Sequence, residues 1–398
     1  MYKCKIICDS LSPQGDRLTT FLVTYPRIIH AQMCRHRMFS RNTASSRAIP
    51  FKKMVKDVQE NPFIPIAWQK DHKGMQGTEY FTEKDFIEGK RYLTAPKINN
   101  SDWLHARDQA VKWACELNRN STTKQLSKAT SIFRIDELQG TGVTKQLCKR
   151  LLEPFMWVTE LITTGEEGLI NFFIQRCPQY GNNEQGYYRS KKDVCQYKNK
   201  QLLNYGHEEG HNTYTPENYF NNPIDWFNVN KSQADIHIQA IAEMMWDSYI
   251  ESTPKQLKAG EWHIPFGDNF DVDKLAEAVT KVGISNTSHN EFVESKIKIA
   301  VARCARISYT TLGDNPKIDY EADIELHDRL LKSGHWSPFE HCARAMTIDE
   351  YFEFAKGRML EIDHGDYYNL AQDIDKKTEG WCRNFRGFIQ YRHLIEEE

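Results

Sequence analysis

The sequence predicts an α+β fold. Two observations carry that reading: a pair of strand-like segments at the amino end, and helix-period apolar spacing through most of the remainder. The chain has 398 residues and a hydrophobic fraction of 40%, with 20 Phe, 18 Tyr and 9 Trp. That is enough for a sizeable core and argues against global disorder.

Taken in order, "YKCKIICDS" reads as a strand, "LSPQGDR" as a turn and "LTTFLVTY" as a second strand, together a hairpin. Its period of two puts Cys4 and Cys8 on one face. Pro26 suits the first position of a helix whose apolar face includes Ile29 and Met33. Residues 51 to 102 are mixed and turn-rich. Residues 103 to 119 and 143 to 162 have helical spacing, with Pro154 expected to kink or restart the second helix. "GEEGLINFFIQR" opens a helix after Gly165. Residues 177 to 232 are polar, rich in Tyr and Asn and weakly periodic, so they read as a loop-rich insertion. "ADIHIQAIAEMMWDSYI" is an amphipathic helix, "GEWHIPF" a strand or extended segment, and "VESKIKIAVARCARISY" a further helix. "YEADIELHDRLLKSG" ends with Gly334 where a helix C′ residue belongs. "HWSPFEH" follows as a loop, and the tail carries the basic patch "CRNFRGFIQYRHL".

A net charge of −2 gives no overall field toward nucleic acid or membrane, so an anion site has to come from a local cluster. No apolar stretch is long enough to cross a bilayer, and the amino end lacks the features of a signal peptide. The 10 cysteines are scattered without a C-x-x-C pair. They read as buried thiols of a cytoplasmic protein, not as disulfides.

The local cluster is "CRHRMFSRNTASSRAIP", residues 34 to 50. Arg35, His36, Arg37, Arg41 and Arg47 alternate with Ser40, Asn42, Thr43, Ser45 and Ser46. Arginine forks and closely spaced backbone amides suit phosphate recognition, and Ser45-Ser46-Arg47 offers a small anion nest. His36 lies between two arginines, so like charge disfavours its cationic form and a neutral ring is expected. The plainer reading is a solvated loop whose cations answer a helix end.

The order R-H-R, seven residues, S-x-R resembles the signature of the flavin-dependent thymidylate synthase (ThyX) family. The approach "TFLVTYPRIIHAQMCRHR" is similar to that family's strand, proline, helix and glutamine, with Gln32 at the glutamine. "ARISY" (305 to 309) and "GHWSPFEH" (334 to 341) resemble its A-R-V-S segment and its G-H-x-[ST]-P-F-E-H loop. "KQLCKRLLEP", "LINFFIQR" and "ADIHIQAIA" resemble three further helical blocks. In the family the A-R-V-S and P-F-E-H blocks precede R-H-R, whereas here they follow it. This is the pattern of a circular permutation, tolerable where the original termini lie close at the surface. The expected organisation is a single permuted catalytic domain over 1–398 with a mixed β-sheet and packed helices. An inserted excursion is expected at 177–232 and a C-terminal extension at 347–398.

The resemblance implies a chemistry. Family members use FAD, reduced by NADPH, to make dTMP from dUMP and methylenetetrahydrofolate. Arg35, His36, Arg37, Asn42, Asn171, Ser308, His335 and Ser337 would hold the flavin. Gln32, Arg35, Ser45, Ser46, Arg47, Arg150 and Arg176 would hold the nucleotide. Arg35 and Arg176 are the candidates for stabilising charge on the pyrimidine. Ser45 has no evident base partner and reads as a phosphate ligand, not a nucleophile. A homotetramer with shared sites is implied. For Arg150 the competing reading is an ion pair with Glu153. The chain departs from the family at Thr43, where a glutamate is usual, and at Gly165 and Glu167, where flavin contacts are usual. A dCMP substrate or a hydroxymethyl product would need only small changes at the ring edge.

Two rival motifs remain. "HEEGH", His207 to His211, matches H-E-x-x-H, but glycines bracket it and no amphipathic helix surrounds it, so no catalytic zinc is expected. Cys177, Cys195, His207 and His211 could form a structural metal site, at a spacing that matches no zinc finger. In the tail, Arg383, Arg386, Arg392 and His393 alternate with Phe385, Phe388 and Tyr391. That pattern could stack on and neutralise a nucleic-acid strand. The simpler reading is a strand with its basic face near the active site or a subunit boundary.

Overall fold

A computed structural model describes residues 1–73, 79–86, 94–118, 142–183, 186–204, 214–219, 229–267, 270–283, 289–309, 319–359 and 379–397. The fold is α+β, as read. Strands β1 (Lys3–Leu11) and β2 (Arg17–Pro26) form the expected antiparallel hairpin. β3 (Ser40–Thr43) and β4 (Trp157–Gly165) extend it, with β4 lying between β2 and β3. β5 (Tyr180–Asn183) and β6 (Gly186–Tyr188) make a separate hairpin. β7 (Lys255–Gln256) pairs parallel to β1, which makes the five-stranded sheet mixed, in the order β3-β4-β2-β1-β7. β8 (Trp262–His263) and β9 (Ala343–Ala345) pair antiparallel. In the tail, β10 (Trp381–Cys382) and β11 (Phe385–Arg386) form a tight hairpin, and β12 (Phe388–Gln390) pairs with β9. Residues 379–397 therefore carry part of the core: Phe385 and Phe388 are fully buried with Leu18, Leu257, Ala343 and Ala345.

Both faces of the large sheet are covered. Phe21, Val23, Tyr25 and Ile162 pack against helices Glu166–Arg176 and Ile236–Glu251. On the other face, Leu161 packs with Cys304 and Ile307 at the end of helix His289–Arg306, with Leu22 alongside. A buried polar line also crosses this second face. His263 Nε2 meets Thr20 Oγ1 at 2.8 Å, Thr20 meets Thr163 at 2.7 Å, and Thr163 meets His341 Nδ1 at 2.8 Å. Burial pushes His263 and His341 down to about 3, so both rings are neutral in the fold.

Several elements differ from expectation. The helical spacing of 143 to 162 is split. Lys145–Cys148 is helical and Lys149–Phe155 continues as a 3-10 turn, but Trp157–Gly165 is a strand in the middle of the sheet. Pro154 cannot continue a helix ladder, and "WVTELITTG" is rich in β-branched residues that fit a pleated surface. Cys4 and Cys8 lie on opposite faces, because a bulge between Ile6 and Cys8 shifts the register. Cys4 packs in the cluster of Phe21 and Val23, while Cys8 meets His263 at 3.4 Å. Pro26 ends β2 and precedes a 3-10 turn, Arg27–Ile29, and a single helical turn, His30–Met33; Ile29 and Met33 are buried as expected. A helix, Phe51–Glu60, and the start of another, Ala95–Asn118, occupy the segment read as turn-rich. The excursion 177–232 is not loop-rich throughout, since it contains the β5–β6 hairpin and helix Lys191–Asn204. That helix is fixed by polar docking that periodicity does not reveal: Trp246 Nε1 donates to Asp193 at 2.7 Å and Lys191 N–H to Glu243 at 2.7 Å.

Helix Tyr320–Lys332 ends as expected, with Gly334 at a φ of 68°. Among the described residues no helix is long and apolar enough to cross a membrane, and no cluster of His, Cys, Asp or Glu is placed to hold a metal. His207 and His211 lie outside the described residues. The tail's basic patch is committed internally: Arg392 pairs with Glu340 at 2.6 Å and Glu396 at 2.8 Å, Arg383 with Glu396, His393 with Glu397 at 3.0 Å, and Arg386 with Asp16 at 3.4 Å and Glu167 at 3.5 Å. Cations already neutralised in this way are poorly placed to hold a nucleic-acid backbone.

Candidate functional site

The R-H-R segment leaves the short helix His30–Met33 as a loop and enters β3 at Ser40. Arg41 closes the helix end by donating to the carbonyls of Met33 at 2.6 Å and Cys34 at 3.1 Å. That cation does answer a helix end. Arg35, Arg37 and Arg47 are different. They are exposed, and among the described residues none has an acidic partner.

Arg35, His36, Arg37 and Met38 line one wall of a cleft of about 250 Å³, with Gly168, Asn171 and Gln175 on the facing helix. Gly168 permits the approach. A Cβ there would come within 2.3 Å of Thr164 Oγ1 and 3.0 Å of Met38 Cβ. Gly165 caps this helix, and Glu167 turns to Arg386. The two departures from the family pattern thus serve the helix start and the tail.

His36 is buried against the edge of Phe172, with ring centroids 4.8 Å apart, and its Nε2 accepts from Arg176 Nε at 3.0 Å. Burial first, then Arg176 and Arg41, push its pKa down to about 4, so the ring is neutral with its proton on Nδ1. Arg176 is itself held beside a like charge. Burial and then Arg35 lower its pKa, with Asp235 opposing. Gln32 reaches the same Asp235 at 3.4 Å. Because His36 titrates near 4 in the fold and near 6.5 unfolded, the unfolded chain binds the extra proton as pH falls below 6.5. His36→Gln should therefore gain stability relative to the wild type between pH 6.5 and 4, by about 1.4 kcal/mol per pH unit. Urea midpoints at several pH values check this, and parallel curves would count against a buried neutral ring.

Further along the segment, Asn42 is a junction. Its Nδ2 donates to the Cys304 carbonyl, and its Oδ1 accepts from Ser308 Oγ at 3.3 Å and Ser337 Oγ at 3.4 Å. The Ser45 N–H donates to the Ser308 carbonyl at 3.0 Å. Asn384 in the tail hairpin donates to the Met38 carbonyl and to Ser40 Oγ, both at 2.9 Å. The amino and carboxyl parts of the chain therefore meet on β3. His335 lies in the same loop as Ser337, exposed, with its ring on Ser333 at 3.1 Å.

Not every candidate is gathered here. Arg150 is exposed and pairs with Glu153 at 2.5 Å, outside the cleft. Ser45, Ser46 and Arg47 form a turn beyond β3. Two residues of this region were missed in the sequence. Glu160 on β4 is fully buried opposite Thr43 and accepts from Thr43 Oγ1 at 2.8 Å and Tyr25 Oη at 2.5 Å. Burial raises its pKa. A carboxyl group thus stands beside Thr43, from the neighbouring strand. The β-branched content of "WVTELITTG" after Pro154 was the signal that could have placed it on a strand. The other is Lys149, one position before Arg150.

No family model and no curated protein sequence matches this chain. Among solved structures it is similar to the UMP/dUMP methylase PolB from Streptomyces cacaoi bound with 5-Br dUMP, at 14% identity over 59% of this chain and 66% of that one, with a TM-score of 0.30. The chain spans just under two thirds of that structure. It is also similar to the same enzyme bound with 5-Br UMP, at 11% identity over 63% of this chain and 89% of that one, with a TM-score of 0.33. At these scores the overlap does not extend to the fold as a whole.

Proposed function

We propose that the protein is a flavin-dependent transferase that adds a one-carbon group to C5 of a pyrimidine deoxynucleotide, dUMP or dCMP. The observation that supports this reading most is the junction at Asn42. Ser308 and Ser337, 266 and 295 positions away in the chain, donate to one amide oxygen beside the R-H-R loop. Those are the residues that the resemblance places together at a flavin, in an order that only a permuted chain would need.

The cleft fits the cofactor in its chemistry. Arg35 and Arg37 are exposed cations without acidic partners among the described residues, suited to a diphosphate, and His36 and Asn171 offer neutral polar groups beside them. Bound FAD would supply hydride chemistry, with NADPH as reductant and methylenetetrahydrofolate as one-carbon donor. Arg176 and Arg35, held close together, would stabilise negative charge developing on the pyrimidine carbonyls. Ser45, Ser46 and Arg47 would take the nucleotide phosphate, with Gln32 near the base. The Ser45 hydroxyl accepts from the Arg47 N–H at 3.3 Å, a local turn and not the pairing with a base that an activated nucleophile needs. At about 250 Å³ the cleft of one chain is smaller than the roughly 300–1,000 Å³ usual for such pockets. By the resemblance the site would be completed by further subunits of a homotetramer, from which Arg150 would approach.

The test is product identification. Protein supplied with FAD, NADPH, methylenetetrahydrofolate and either dUMP or dCMP should yield a nucleotide heavier by one carbon at C5. Absence of any such product with both nucleotides, from protein shown to be folded, would refute the reading.

A further inference from the structure

Lys149 is 1% exposed, among the most enclosed side chains in the protein, and it opens the 3-10 turn Lys149–Phe155, whose Leu152 and Phe155 are buried with Met54 and Cys148. Its ammonium donates to the Ser46 carbonyl at 2.9 Å and to the Ile49 carbonyl. Among the described residues no carboxylate pairs with it. Burial and then Lys145 lower its pKa, Arg47 is exposed, and Arg150 is already paired with Glu153. A buried ammonium without a counter-charge is costly, and a hydrocarbon side chain of similar length would fill the same space. Packing alone does not call for a lysine here.

The turn that it holds explains the charge. Ala48 N–H and Ile49 N–H donate back to the Ser45 carbonyl at 3.0 and 3.3 Å, closing Ser45–Ile49 into a compact turn. The Ser46 carbonyl faces Lys149. The Arg47 N–H belongs to the same peptide plane, so it points the opposite way, onto Ser45 Oγ. Lys149 thus fixes which side of the turn carries its carbonyls and which side carries Ser45 and Arg47.

We infer that Lys149 is a positioning residue for a phosphate-binding turn: it orients Ser45–Arg47 and leaves the turn with positive charge that a phosphate monoester neutralises. The inference rests on the reading that this turn receives the nucleotide phosphate, but it names a residue and a role outside that reading.

The test compares dUMP, deoxyuridine and inorganic phosphate as probes of the full-length wild type, Lys149→Met and Lys149→Arg. The methionine variant should lose roughly ten- to hundredfold in affinity for dUMP and little for deoxyuridine, and the arginine variant should recover most of the loss. Equal loss for dUMP and deoxyuridine would mark a merely structural lysine and overturn the inference, as would unchanged dUMP binding. Wild type that binds inorganic phosphate but not dUMP would defeat the nucleotide reading alone. Lys149 would then be judged by whether the methionine variant loses phosphate. Wild type that binds no phosphate-bearing probe would overturn both. Should Lys149→Met not fold, Lys149→Gln, which removes the charge and keeps a donor, is read in the same way.

Discussion

Replacing Arg386 with methionine is expected to destabilise the protein by about 3–5 kcal/mol, the usual result of removing one partner from a buried ionic cluster. Arg386 is 5% exposed. It lies 3.4 Å from Asp16 in the β1–β2 turn and 3.5 Å from Glu167 at the start of the cleft helix. It also donates to the Glu379 carbonyl at 3.0 Å and to Tyr351 Oη at 2.5 Å. Its loss would leave two carboxylates without their cation and would release the tail from the turn. The packing around it is close: a Cβ on neighbouring Gly387, whose φ is 71°, would stand 2.6 Å from Asp16 Oδ2. Urea unfolding of the variant measures the effect. A change under about 1 kcal/mol would mean that the tail is not integral to the fold.

Arg176→Met should lower turnover of the nucleotide about 10²–10³-fold with the fold intact, the magnitude seen when one preorganised donor is removed from developing negative charge. Its Nε is already used by His36, and among the described residues its two outer nitrogens have no bond partner. Lysine should rescue little, because an ammonium cannot keep the His36 bond and also present a planar fork. Steady-state rates with saturating nucleotide, alongside a circular dichroism melt, make the test. Turnover within threefold of wild type would remove Arg176 from the chemistry.

The extent to which these features were legible in the sequence depends on how local their causes are. The β1–β2 hairpin, the helix after Gly165 and the stop at Gly334 follow from turn chemistry and period, which neighbouring residues determine. β4 was misread because its apolar positions also fit a helical spacing and only Pro154 marked the change. The bulge at Ile6/Cys8 has no local signal, since the partner strand decides the register. The segment of the cleft arginines, which lack acidic partners among the described residues, and that of the paired tail arginines are similar in composition. What separates them is whether Asp16, Glu167, Glu340 or Glu396 arrives from elsewhere in the fold. Lys149 and Glu160 were passed over for the same reason. Each is a single charge whose meaning lies in its burial against Ser46 or Thr43.

The most direct measurement of the central claim is a visible absorption titration of the purified full-length protein with FAD, repeated in the presence of dUMP. FAD is expected to bind to saturation with a perturbed flavin spectrum, and dUMP to change that spectrum, because on the proposed reading the two ligands would lie side by side between the R-H-R loop and the helix of Asn171 and Arg176. Folded protein that leaves the spectrum of free FAD unchanged at all concentrations would contradict it.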